Sequence, residues 1–91
     1  MNREDVEKLT LGEGKMRDPV TGKPRKFPVI GLPTHLSAEI DGTDQGGYQY
    51  KLKRSGDFLL YQQNQFSRTP EVALQALKSL LNWDPIGEPH R

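Results

Sequence analysis

The stretch Ser67-Arg68-Thr69-Pro70-Glu71-Val72-Ala73-Leu74-Gln75-Ala76-Leu77-Lys78-Ser79-Leu80-Leu81-Asn82-Trp83 carries the clearest structural signal in this 91-residue chain. Thr69 offers a side-chain oxygen to the unpaired amides of a first helical turn, and Pro70 follows at the position that needs no amide hydrogen. Glu71 puts negative charge at the positive end of the helix dipole, while Lys78 and Asn82 lie toward the other end. Ala73, Leu74, Ala76, Leu77, Leu80 and Leu81 recur at three- and four-residue steps, leaving Glu71, Gln75, Lys78, Ser79 and Asn82 on the opposite side. Pro85 disfavours helical geometry at Asp84, so the spacing predicts a helix over about 70–83. A helix that short is marginal alone in water, so its leucine face needs a surface to cover.

That surface is expected just upstream. Leu36, Ala38 and Ile40 alternate with Ser37, Glu39 and Asp41, the period of a strand with one buried face, over about 35–41. Asp41-Gly42-Thr43-Asp44-Gln45-Gly46-Gly47 is dense in turn residues, after which Tyr48, Tyr50 and Leu52 resume the alternation against Gln49, Lys51 and Lys53, over about 47–54. Arg54-Ser55-Gly56-Asp57 has the length of a hairpin turn with glycine at a positive φ. Phe58-Leu59-Leu60-Tyr61-Gln62-Gln63 then has strand composition, giving a third strand over about 57–66. Connections this short imply a three-stranded antiparallel meander packed by the C-terminal helix, an α+β domain.

Nearer the N-terminus, Asn2 and Asp5 resemble a capping box, and Val6 with Leu9 gives a short helix over about 3–10 one apolar edge. Residues 11–34 hold four glycines and four prolines, too many for a long regular element, and read as an irregular arm. Within it Asp18-Pro19-Val20-Thr21-Gly22-Lys23 has the chemistry of a tight turn, which short strands around Lys15–Arg17 and Lys26–Ile30 would flank. From Lys15 to Lys26, the cations Lys15, Arg17, Lys23, Arg25 and Lys26 face the single acid Asp18, which makes this the most basic segment. The expected layout is a helix and arm over 1–34, a βββα core over 35–84 and a loose polar tail over 85–91, one domain overall.

Composition narrows the function. The chain is 33% hydrophobic and 27% charged, lean for a core but not disordered in composition. It has no cysteine, which removes disulfides, thiolate nucleophiles and cysteine-based zinc sites together and points to a reducing cytoplasm. No apolar run approaches the roughly 20 residues that span a bilayer, so a soluble protein without a membrane partner is expected. Thirteen lysines and arginines against twelve acids give a net charge of +1, so any attraction to nucleic acid must be local.

No constellation for catalysis is visible. His35 and His90 stand apart from any second metal ligand. Asp41 and Asp44 lack the alternating oxygens and distant glutamate of an EF-hand, and Gly12-Glu13-Gly14-Lys15 lacks the Gly-Lys-Ser/Thr ending of a phosphate loop. The serines have no histidine base and orienting acid nearby. No catalytic residue, metal or cofactor is therefore expected. What remains is surface. Lys51, Lys53 and Arg54 with Tyr61 and Gln63 would form a basic sheet face with an aromatic for stacking, joined by Arg25 and Lys26 of the arm. The uncharged run Tyr61-Gln62-Gln63-Asn64-Gln65-Phe66 would offer Gln63 and Gln65 as a recognition strip, or an edge that pairs with another copy. Trp83 would cap the core.

At Gly46-Gly47-Tyr48, and again at Thr69-Pro70-Glu71-Val72-Ala73-Leu74-Gln75-Ala76-Leu77, the chain resembles the core of HicB-type antitoxins. There a glycine-rich or acidic turn leads into a tyrosine-led strand and a Thr-Pro-Glu-type cap opens a helix on a three-stranded sheet. Where that family carries a Leu-Pro-Gly-Cys-like segment, this chain has Tyr61-Gln62-Gln63-Asn64-Gln65-Phe66. The resemblance implies the βββα fold and a habit of blocking a partner. The expectation is a non-enzymatic protein-binding module, an inhibitor or antitoxin-like factor of phage or mobile-element origin acting on a host or cognate protein. The alternatives are a module for RNA or single-stranded nucleic acid and a structural subunit of a larger assembly.

Overall fold

A computed structural model describes residues 3–16, 25–43, 45–55 and 57–83. The C-terminal helix forms as its sequence dictates. Thr69 Oγ1 accepts a hydrogen bond from the Val72 amide at 3.2 Å, and α2 spans Pro70–Trp83. Ala73, Leu74, Leu77 and Leu81 are buried, Ala76 and Leu80 half-buried, and Glu71, Gln75, Ser79 and Asn82 exposed. The short first helix, α1 (Arg3–Glu7), packs on α2, and Lys78 Nζ reaches across to donate to the Glu7 carbonyl at 3.1 Å. Helix α1 ends three residues earlier than the spacing suggested. Leu9 lies beyond it in the turn that follows, yet is as buried as Val6.

Six strands form one antiparallel sheet: β1 (Thr10–Leu11), β2 (Lys15–Met16), β3 (Arg25–Ile30), β4 (Leu36–Thr43), β5 (Gly47–Arg54) and β6 (Phe58–Gln62). Their order is β1-β3-β4-β5-β6, and β2 pairs with the other end of β3 on the same side as β1. β1 and β2 are thus two pieces of one broken edge strand, and the sheet is five strands wide. The meander β4-β5-β6 is as the sequence predicts, but it is part of a larger sheet.

The arm departs from the expectation of an irregular segment. Residues 25–30 form a full strand beside β4, in register Phe27↔Ile40 and Pro28↔Glu39. Pro28 is tolerated because its carbonyl, and with it its hydrogen-free nitrogen, faces the outer edge, where Gly12 N donates to Pro28 O at 2.7 Å. The missing donor falls where the edge strand breaks between β1 and β2. Gly14 sits at that break under the Phe27 ring, which leaves no room for a Cβ. The short strands expected around 15–17 and 26–30 are there, while the turn at 18–23, the tail at 85–91, His90 and the Trp83 side chain lie outside the described residues.

The core lies between one sheet face and α2. Leu36, Ala38 and Ile40 of β4, with Tyr48 and Leu52 of β5, are buried on that face. Phe27 packs edge-to-face on Tyr48 with ring centroids 6.1 Å apart. α2 covers β5, β4 and β1. Each fully buried leucine or isoleucine contributes roughly 1.5–3 kcal/mol. β4 continues to Thr43, two residues past the expected end, and Thr43 Oγ1 accepts from Gly46 N at 2.7 Å to close a tighter turn. In the next turn Asp57 holds a positive φ of 64°, while Gly56, where the sequence places one, lies outside the described residues. Among the described residues no helix is long and apolar enough to cross a membrane.

Candidate functional site

The face of the sheet turned away from α2 carries charge in alternating sign. Glu39 of β4 meets Lys26 of β3 at 3.2 Å and Lys53 of β5 at 3.3 Å, Lys53 also lies 4.0 Å from Asp57, and Lys51 lies 3.5 Å from Asp41. Burial raises the Glu39 pKa, but the hydrogen bonds and charges of the two lysines outweigh it and hold the carboxyl below the usual glutamate range. A cavity of about 320 Å³ opens on this face, lined by Lys26, Glu39, Lys53 and Asp57 among others. Lys26, Lys51 and Lys53 with Glu39, Asp41 and Asp57 thus form an ion-pair lattice of balanced charge across β3, β4 and β5, and not a basic track.

Register divides the residues that the sequence grouped together. Leu52 of β5 lies opposite Tyr61 of β6, so Tyr61 shares the α2 side of the sheet with Leu52, while Lys51 and Lys53 point to the other. Gln63 follows the parity of Tyr61, and its side chain is spent within the fold. Tyr50 N donates to Gln63 Oε1 at 3.2 Å, and Gln63 Nε2 donates to Ser67 Oγ at 2.7 Å. β6 therefore ends at Gln62 and not near 66. The chain bends out through Asn64 and Gln65, and returns at Ser67, which exchanges backbone hydrogen bonds with Tyr48 at 2.7 and 2.8 Å. Gln65 is exposed on that bend. Arg25 is half-buried opposite Gly42, on the α2 side of β3 and away from Lys26. Arg54 is exposed, its guanidinium 5.7 Å from the centre of the Phe58 ring.

What the structure gathers instead is an apolar strip on the β6 edge. Phe58 is 65% exposed, Leu59 48% and Phe66 56%, and Tyr61 is also exposed. α2 packs mainly on β5, β4 and β1, and these side chains of β6 stay exposed beside it. A bulge between Leu59 and Tyr61 shifts the register by one: Lys53 lies opposite Leu59 and Arg54 opposite Phe58. Leu59 consequently falls on the ion-paired face, while Phe58 and Tyr61 fall on the other, so apolar groups flank the edge on both sides. Sequence reading missed Phe58, Leu59 and Phe66. The available signal was the unbroken run Phe58-Leu59-Leu60-Tyr61, which does not alternate as a half-buried strand should.

Among the described residues no three histidines or acids come together as a metal site. Comparison with protein-family models, curated proteins and solved structures returned no match to this chain.

Proposed function

We propose that the protein is a non-enzymatic protein-binding module, an inhibitor or antitoxin-like factor of phage or mobile-element type, that acts in the cytoplasm by occluding a partner with the β6 edge. The observation that carries this reading is the exposed set Phe58, Leu59 and Tyr61 on an edge strand, with Phe66 on the bend that follows it. Natural sheets ordinarily blunt such edges, and a single edge that keeps large apolar groups marks a contact surface. The resemblance of Gly46-Gly47-Tyr48 and Thr69–Leu77 to HicB-type antitoxins agrees with it.

The reading for RNA or single-stranded nucleic acid has less support, since Lys26, Lys51 and Lys53 each stand within 3.5 Å of a carboxylate. Binding to mixed oligonucleotides that weakens steeply with salt would restore it. A structural subunit would show defined oligomers by its mass in solution.

The test of the proposed module is site-specific photocrosslinking from Leu59 and, as a control, from Gln75 on the exposed side of α2. Expected is one protein crosslinked from position 59 and not from position 75, and lost in Phe58→Asp. Equal crosslinking from both positions would remove the edge from the reading.

A further inference from the structure

The geometry points to the chemical class of the occupant: an extended segment of a partner protein, uncharged in its middle and acidic at both ends, laid along β6 as an added strand. The inference rests on the docking reading above and deepens it.

Backbone geometry supplies the first half of the argument. In an antiparallel pair, successive residues turn their amide and carbonyl groups alternately toward and away from the neighbour. Tyr48 and Tyr50 bond toward the β6 side, through Ser67 and Gln63, so Leu52 and Arg54 do likewise, while Lys51 and Lys53 face β4. Gln62 and Leu59, opposite Lys51 and Lys53, therefore turn their backbone groups outward, away from β5. The bulge sets these two positions three residues apart instead of two. It denies a long regular strand a continuous ladder and favours a short one in a single register.

Charge supplies the second half. Arg54 stands over Phe58 at one end of the strip, and Arg68, next to Ser67, stands at the other. Both are exposed, and among the described residues neither has an ion-pair partner. Between them, β6 and the bend after it carry no charge from Phe58 to Ser67, and Asp57, which precedes Phe58, lies 4.0 Å from Lys53 of the ion-paired face. The strip is thus uncharged between two cationic ends, apolar at Phe58, Leu59, Tyr61 and Phe66 and polar at 62–65. Tyr48 and Arg54 are six residues apart on β5, which puts the two ends about 20 Å from each other, the span of about six extended residues. A second copy of this chain fits poorly. Antiparallel pairing of β6 with itself would carry the Arg54 end of each copy toward the Arg68 end of the other, and like charges would meet. An uncharged segment with a carboxylate at each end meets opposite charge at both.

The experiment uses the full chain and three synthetic probes: a six-residue alternating valine and threonine peptide flanked by two glutamates at each end, the same peptide flanked by lysines, and a composition-matched scramble. Binding is read by amide chemical-shift changes and by fluorescence anisotropy. Expected is saturable binding of the glutamate-flanked probe, with shifts centred on Leu59 and Gln62, and binding at least tenfold weaker for the lysine-flanked probe. In Arg54→Glu/Arg68→Glu, whose exposed side chains leave folding intact, the preference should reverse. Equal binding of the two flanked probes, binding of neither, or shifts away from β6 would overturn the inference. Concentration-dependent dimerisation that Leu59→Asp abolishes would overturn it too, in favour of a second copy. The photocrosslinking result separates the two levels: a protein held at position 59 with no preference for acidic flanks sinks the inference and spares the docking reading, whereas no product at position 59 sinks both.

Discussion

Gln63 Nε2 donates a hydrogen bond to Ser67 Oγ at 2.7 Å, closing the bend through which the chain leaves β6 and rejoins β5. The same side chain accepts from Tyr50 N, so one amide group satisfies both a strand backbone and the buried Ser67 hydroxyl. Gln63→Ala should cost about 1–2 kcal/mol in denaturant unfolding, because a partly buried amide is left without its acceptor. Gln65→Ala, two residues away on the exposed bend, should stay within about 0.5 kcal/mol of the native chain. Equal effects at the two positions would contradict the structural role given to Gln63.

How much of this was legible in the sequence follows from which signals are local. The cap at Thr69, the leucine period of α2 and the alternation at Leu36-Ala38-Ile40 and Tyr48-Tyr50-Leu52 each lie within one element, and the structure follows them. Pairing is not local. That Phe27 sits opposite Ile40, making residues 25–30 a sheet strand despite Pro28, depends on a partner more than ten residues away. The face of Tyr61 and Gln63 depended on the register of the second hairpin, and a one-residue bulge decides which side chains of β6 join Lys51 and Lys53. The lysines were visible as cations, but their neutralisation by Glu39, Asp41 and Asp57 needed the cross-strand register as well.

Burial makes a sharp contrast along α2. Leu77 is fully buried between the helix and the sheet, whereas Val72, on the flank of the same helix, is exposed. Leu77→Ala should lower stability by about 2–5 kcal/mol, the transfer and cavity cost of a core leucine. Val72→Ala should be neutral or slightly stabilising, since alanine is the better helix former. The midpoints of urea unfolding, with the slope unchanged, check both.

Gly14 and Phe27 form a coupled pair. A methyl group at position 14 would overlap the Phe27 ring, which is itself braced edge-to-face on the buried Tyr48. Gly14→Ala should therefore cost about 1–3 kcal/mol as the ring is pushed from its seat. In a Phe27→Leu background the same change should cost distinctly less, and the non-additivity measures the contact. Additive losses would mean that the glycine is needed for its backbone alone.

Acid should loosen the outer face before the core. Lys26 and Lys53 hold the Glu39 carboxyl below its ordinary range against the opposing effect of burial. A carboxylate depressed in the folded state contributes stability that is fully present above its unfolded pKa and disappears as pH falls through the lower folded value. The native chain should therefore lose this contribution between about pH 5 and the acid side of the folded Glu39 value. Glu39→Gln, which cannot ionise, should be less stable than the native chain at pH 7 and converge with it on acidification. Unfolding midpoints measured at intervals from pH 7 to pH 3 at low salt decide the matter. Parallel curves for the two chains would show that the lysines gain nothing from Glu39, and that the ion-pair lattice across β3, β4 and β5 is solvated surface without energetic consequence.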